Sequence, residues 1–248
     1  MTQLHIKDKD VCVPGELLAT GMDYIPGMGA YRKEDKIYAN RVGLVSINGR
    51  ALKLIPLCGP YMPKRDDVVI GKVTEVTPNG WRIDTNCSIS GLLNVRDASN
   101  TFVSRSTNLT KILDMGDYVC ARIFNIMGTK TIDLSLRGQG LHKLKDGMIL
   151  RYSPNKFPRI IGRAGSMVSM IKHATKCQIF VGQNGLIWIS GEPDMEYVAK
   201  QAFEMIEQKA HTSGLTDRVK AFLQEQCPEW DGQVGSAPQD EQKQEDGD

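Results

Sequence analysis

The 248-residue chain is predicted to fold as a multi-domain protein, β-rich over its first part and α+β over its last. Short alternating apolar runs punctuated by Gly and Pro fill residues 1–142, which is the pattern of half-buried strands. From Met167 onward apolar residues recur instead at helical spacing, with two strand-like runs between the helical stretches. The length suits two or three modules of about 60 to 80 residues. An apolar content of 41% can give each a core, although modules this small are individually marginal.

Residues 1–62 read as a β-module. Val11-Cys12-Val13 runs into the turn Pro14-Gly15-Glu16, and Gly27-Met28-Gly29 marks a second turn. Strands are expected at Ile37–Ala39, Val42–Val45 and Ala51–Ile55. No helix follows Gly27-Met28-Gly29, so it is not a dinucleotide-binding fingerprint. Pro60, Pro63 and Lys64-Arg65-Asp66-Asp67 mark a boundary. Residues 64–138 then carry five strand signals: Val68–Val76, Trp81–Asp84 after the turn Pro78-Asn79-Gly80, Gly91–Val95, Tyr118–Ile123 and Thr131–Leu136. Five strands with a long polar insert from Arg96 to Lys111 fit a small closed barrel of the OB type.

Residues 143–212 change character. Pro154 and Pro158 frame a loop, and Ile160, Ile161, Met167, Met170, Ile171 and Ala174 follow at helical spacing. Gln178–Val181 and Leu186–Ile189 flank Gln183-Asn184-Gly185, which reads as a hairpin. Asp194 is expected to cap a helix that presents Val198, Ala199, Ala202, Phe203 and Ile206 on one face. The order is strand, helix, glycine loop, helix, two strands, helix. A further amphipathic helix is expected within 213–234, and residues 235–248, rich in Gln, Glu and Asp, are expected to form a disordered acidic tail.

The formal net charge of +2 hides a local asymmetry: residues 143–212 carry +4 and residues 213–248 carry −6. Between Gly147 and Gly191 there are six basic residues (Arg151, Lys156, Arg159, Arg163, Lys172, Lys176) and no acidic one. Amid them lies Gly162-Arg163-Ala164-Gly165, whose two glycines would let the backbone approach a phosphodiester chain. Both glycines are expected to be exposed and replaceable by Asp without unfolding. In the barrel, Arg96, Arg105, Lys111 and Arg122 are candidates for a backbone-tracking, sequence-tolerant groove. Its aromatic residues are Trp81, Phe102, Tyr118 and Phe124, and some are needed for the core, so base stacking stays open.

Catalysis and metal binding find little support. The cysteines contain no Cys-x-x-Cys pair, which argues against a zinc site or a disulfide framework and for a reduced, cytoplasmic protein. His5, His142, His173 and His211 are far apart, and His173, near an apolar helix face, is expected to be structural. Asp66-Asp67 and Asp114 with Asp117 read as turn residues. No cofactor is expected, and no apolar run is long enough for a membrane helix.

Pro158–Met167 resembles the signature stretch of a KH domain, and Val181–Trp188 is similar to what exosome cap subunits carry in that domain. Gly71–Trp81 resembles their ribosomal-protein-type OB domain, and Ile37–Val45 their N-terminal β-module. In all, residues 10 to 210 resemble, in the family's order, the cap subunit of an archaeal-type RNA exosome. The resemblance implies a non-catalytic subunit, three copies of which sit on a hexameric ring of phosphorolytic ribonuclease subunits. The cap would gather single-stranded RNA, adenine-rich tails included, and feed its 3′ end to the ring, with the first module docking there. One alternative is a free-standing ribosome- or translation-associated factor, which would have no use for a docking module. Another is a fragment of polynucleotide phosphorylase, in which the two RNA folds stand in the reverse order behind catalytic domains.

Overall fold

The computed structural model describes residues 3–98, 108–127, 131–212 and 214–230. Phe102, Arg105 and the acidic tail 235–248 lie outside the described residues. The chain divides into two compact units, Met1–Pro60 and Tyr61–Asp248.

The first unit holds β1 (Gln3–Leu4), β2 (Val11–Cys12), β3 (Leu17–Thr20), β4 (Ile25–Pro26), β5 (Ala30–Lys33), β6 (Lys36–Ala39), β7 (Gly43–Asn48) and β8 (Ala51–Pro56). They form two four-stranded sheets, ordered β1-β3-β6-β5 and β2-β7-β8-β4. Alternation sends Cys12, Leu18, Ile37, Ala39, Val45, Leu52 and Leu54 into one shared core. The outer face of the second sheet carries an apolar row, beside the polar pair Ser46–Lys53. Val11 pairs with Leu44, which pairs with Ile55 on the next strand. Val11 is 59% exposed and Ile55 51%, and Val13, Met22, Ile25 and Leu57 are exposed too.

The second unit begins with the barrel: β9 (Val68–Thr77), β10 (Gly80–Asp84), β11 (Ser90–Asn94), the short α1 (Val95–Ala98), β12 (Tyr118–Met127), β13 (Thr131–Ser135) and β14 (Lys143–Leu144). Strand order is β13-β11-β10-β9-β12-β14, and β13 also pairs with β12, which closes five strands on themselves. Val69, Val73, Trp81, Ile83, Leu93, Val119, Ile123, Ile132 and Leu134 fill the interior. Trp81 is 1% exposed, and its indole N–H donates to the Leu113 carbonyl at 2.8 Å. The expected turn carboxylates tie turns together. Asp67 accepts from the Lys64 N–H and the Tyr61 hydroxyl, and Asp117 accepts from the Asp114 N–H and the Lys143 ammonium.

The last module comprises β15 (Met148–Arg151), α2 (Phe157–Ile161), α3 (Ser166–Thr175), β16 (Gln178–Val181), β17 (Leu186–Ser190), α4 (Pro193–Gln208) and α5 (Leu215–Gln226). The antiparallel sheet β15-β17-β16 packs against the helices through Ile160, Met170, Ile171, Ile187, Ile189, Ala202 and Phe203. Leu215, Val219 and Leu223 of α5 bury into this same core. Asp194 does not cap α4. Glu192 holds the N-cap position, and Pro193, with its fixed φ, starts the helix, so Asp194 falls in the first turn.

Barrel and last module share a packed seam. Ile70, Cys120, Leu141, Leu144, Leu186 and Trp188 bury together across it, and burial pushes the Cys120 thiol up to about 12. The predicted hairpin tip, Gly182–Gly185, lies in this seam rather than in solvent. Asn184 is 0% exposed. Its amide accepts from the Ile70 N–H at 3.2 Å and donates to the carbonyls of Ile70 (2.6 Å) and Thr85 (2.8 Å). Gln183 pairs with Val68 through both its backbone N–H (3.0 Å) and its side-chain oxygen (2.7 Å). The tip thus satisfies the backbone of Val68 and Ile70, the part of β9 that runs past its pairing with β10, much as another strand would.

Candidate nucleic-acid interface

The loop Gly162–Gly165 is built by two helix ends meeting at a sharp corner. α2 stops at Gly162, which adopts φ 76° and ψ −179°, a region open essentially to glycine alone. A side chain there would also collide, because an added Cβ would lie 2.9 Å from both the backbone nitrogen and the Cβ of Met167. Gly162 is therefore not the freely replaceable residue expected from sequence: it seats α2 on the first turn of α3. Gly165 differs. It caps α3 in the left-handed region at φ 79°, and an added Cβ would meet nothing within 4 Å. Between them Ala164 is also left-handed (φ 48°), which costs a non-glycine residue about 1 kcal/mol. The corner leaves Arg163 and Ala164 exposed and the N-terminus of α3 without a side-chain cap. First-turn N–H groups in that state favour an anion.

Along α3, Ser166, Lys172, His173 and Lys176 are exposed while Met167, Met170, Ile171 and Ala174 are buried. Ser166, Lys172 and His173 lie on the exposed side of α3, with Arg163 just before its start and Lys176 just past its end. His173, expected from its place near the apolar face to be structural, is exposed, because the buried face runs through Ile171 and Ala174 on either side of it. Partial desolvation lowers the Lys172 pKa from its ordinary value, although its side chain stays on the surface. Of the six basic residues, Lys176 meets a carboxylate among the described residues, Glu229 at 3.4 Å. Lys156 is drawn inward, where its ammonium donates to the Glu207 carbonyl near the end of α4 at 2.8 Å.

A cleft of about 330 Å³ opens beside the loop, lined by Arg159, Gly162, Arg163 and Ser166 on one side and by Gly214, Leu215, Thr216 and Asp217 on the other. The start of α5 thus forms one wall and brings an acidic residue to it. Sequence reasoning missed this wall because it comes from some fifty residues downstream, outside the acid-free stretch.

The barrel candidates fall into two places. Arg96 in α1 and Arg122 on β12 are exposed, and both approach the segment after β13. Arg122 pairs with Ser135, and the Arg96 carbonyl accepts from the guanidinium of Arg137. Arg137, which sequence reasoning did not single out, joins Arg96 through that bond. Lys111 is exposed on a separate helical turn whose neighbours Leu109 and Ile112 pack on the barrel core.

Residues 11–48 match the family described as the Exosome complex exonuclease RRP4 N-terminal region, residues 60–125 the RRP4 S1 domain, and residues 147–195 the KH domain. The chain is 46% identical over 220 residues to the exosome complex component Rrp4 of Methanothermus fervidus, covering 89% of this chain and 97% of that one. With the exosome complex component Rrp4 of Methanothermobacter thermautotrophicus it shares 43% identity over 220 residues, 89% of this chain and 70% of the relative. Among solved structures it is similar to the crystal structure of a proposed exosome complex RNA-binding protein. That match has a TM-score of 0.62 and 34% identity, and covers 68% of this chain and 97% of that one.

Proposed function

This chain belongs to the Rrp4 family of exosome complex components, and from that premise we propose that it is a non-catalytic cap subunit that binds single-stranded RNA and passes its 3′ end to a ring of ribonuclease subunits. The observation that carries this reading is the division of its exposed chemistry. The first unit shows an apolar row, Val11–Leu44–Ile55, on the sheet face away from its own core. Contiguous apolar surface of that kind marks a protein partner. The last module shows the Gly162–Gly165 corner and exposed basic residues along α3, the chemistry of phosphate contact.

In this reading the corner receives the RNA backbone. Arg163 and the uncapped first turn of α3 neutralise one phosphate, and Lys172 takes one further along. Arg159 and the α5 wall confine the chain at the cleft, where Asp217 excludes a phosphate from that side. On the barrel, Arg96, Arg122 and Arg137 offer a second, sequence-tolerant track, which Lys111 and Arg105 extend. Lys156 holds the corner in place from within.

Sizing chromatography with light scattering on a mixture of this chain and the ring subunits tests the reading. Three copies on a hexamer are expected. A monomer that ignores the ring yet binds RNA would return the chain to the free-standing reading. In the mixed complex, Val11→Asp with Ile55→Asp should abolish co-elution and leave RNA affinity unchanged.

A further inference from the structure

Phe124 stands out on the barrel surface. Trp81 is spent in the core and Tyr118 is half-buried, whereas Phe124 is 60% exposed. Its position follows from a bulge in β12. Ile123 pairs with Leu134 and Asn125 with Asp133, so Phe124 is the extra residue that opposes nothing on β13. A bulge re-aims one side chain at the cost of local ladder hydrogen bonding, and here the side chain it re-aims is an aromatic ring.

The ring is also held. The Arg65 guanidinium lies over it, 5.9 Å from the centroid. The backbone that carries Arg65 is tied to β12, because the Asp66 N–H donates to the Ile123 carbonyl at 2.9 Å and the Ile123 N–H to the Asp67 carbonyl at 2.8 Å. Arg122, exposed, lies two residues before Phe124 on the same strand. An oriented aromatic ring with one guanidinium over it, and an exposed arginine two residues away on the strand, matches a nucleobase with its phosphates.

We propose that Phe124, with Arg65 over one face of its ring, is a base-stacking platform for single-stranded RNA: a base packs on the other face while Arg65 and Arg122 neutralise the flanking phosphates. The proposal rests on the RNA-binding reading and adds to it a second kind of contact, which senses bases rather than backbone. Ile126 and Met127, also exposed at the end of β12, extend an apolar surface that would suit a protein partner. The Arg65 guanidinium favours the base, since it places positive charge at the ring, where a flanking phosphate would lie.

The test compares the full chain with Phe124→Ala, Phe124→Leu and Phe124→Trp, using an oligoadenylate and an abasic oligomer of equal length. A 2-aminopurine-labelled oligoadenylate reports stacking directly. Loss of one stacked base, worth about 1–3 kcal/mol, corresponds to a fall of about 5- to 150-fold in affinity. The Ala and Leu variants should therefore bind oligoadenylate at least about 5-fold more weakly and lose the 2-aminopurine quench, while Trp keeps both. All four proteins should bind the abasic oligomer alike. Thermal melts should be unchanged, because the side chain lies outside the core. A Leu variant that binds oligoadenylate as well as the parent overturns the platform, as does an equal loss on the abasic oligomer. Variants that bind RNA normally but fail to join the ring subunits would make the patch a protein contact and overturn it too. If the parent chain binds neither oligomer, the RNA-binding reading itself falls and the platform with it. Normal binding by the parent with indifferent variants sinks the platform alone.

Discussion

Two loops of one module share the pattern Gly-x-x-Gly and meet opposite ends. Gly162-Arg163-Ala164-Gly165 turns a sharp corner between α2 and α3 and leaves its central residues in solvent. Gly182-Gln183-Asn184-Gly185 joins β16 to β17 and is swallowed by the seam with the barrel. In the first, Gly162 lets the corner close on the Met167 backbone and Gly165 faces open space. In the second, both glycines let backbone come close to backbone: an added Cβ at Gly182 would lie 2.9 Å from the Ile70 nitrogen, and one at Gly185 2.6 Å from the Tyr152 carbonyl oxygen. The central residues follow suit. Arg163 carries a charge that must stay in water, while Asn184 carries an amide able to pair with three backbone groups at once. A spaced glycine pair therefore signals close approach, and the residues between them indicate what is approached.

The comparison breaks most visibly at Asn184. Asn184→Leu leaves the Ile70 N–H and two carbonyls buried without partners, and each such group costs about 1–3 kcal/mol. A loss of about 3–5 kcal/mol is expected in urea unfolding of the full chain. Changes near zero would show that water reaches the seam. Next comes Gly162→Ala, which combines forbidden backbone with the Met167 contact and should cost about 2–3 kcal/mol, whereas Gly165→Ala should cost about 1 kcal/mol. Equal costs at the two positions would mean that the corner relaxes around Gly162.

Arg163→Ala with Lys172→Ala sharpens the contrast from the functional side. Thermal stability should stay within about 0.5 kcal/mol, while RNA affinity falls and the slope of log K against log salt flattens by about 0.7 per lost contact. An unchanged slope would remove both residues from the phosphate path. The smallest effect is expected from deleting residues 235–248. Loss of their acidic charge should raise RNA affinity about two-fold at low salt and not at all at high salt, where charges are screened. An effect that persists at high salt would require a contact other than charge.

Much of this was legible in advance. The strands of the barrel were visible because apolar alternation has the period of a strand, and the helices of the last module because Met167, Met170, Ile171 and Ala174 have the period of a helix. The Gly162–Gly165 corner stood out because its surroundings lack acidic residues. Local pattern failed where a neighbour in sequence mattered less than one in space. His173 looked structural because it stands a single step around the helix from the buried face, a difference of about 100° that periodicity over ten residues resolves poorly. Asp194 looked like a cap until Pro193 claimed the start of the helix. Arg137 carried no signal at all, since nothing in its surroundings in the chain reveals that its guanidinium reaches the Arg96 carbonyl.

The sequence by itself determined the order of modules, the five strands of the barrel, the helices and hairpin of the last module and the location of the acid-free basic stretch. These follow from side-chain period and charge, which are properties of residues close together in the chain. In the first unit, β1, β3, β4 and β5 carried too short a pattern to be read. Only the tertiary structure decided which glycine loop faces solvent, that α5 walls the cleft with Asp217, and that a bulge at Phe124 leaves an aromatic ring outside the barrel. Each depends on what packs against what across 40 or more residues, or on a one-residue slip in pairing, and at that range a linear pattern carries no information about contact.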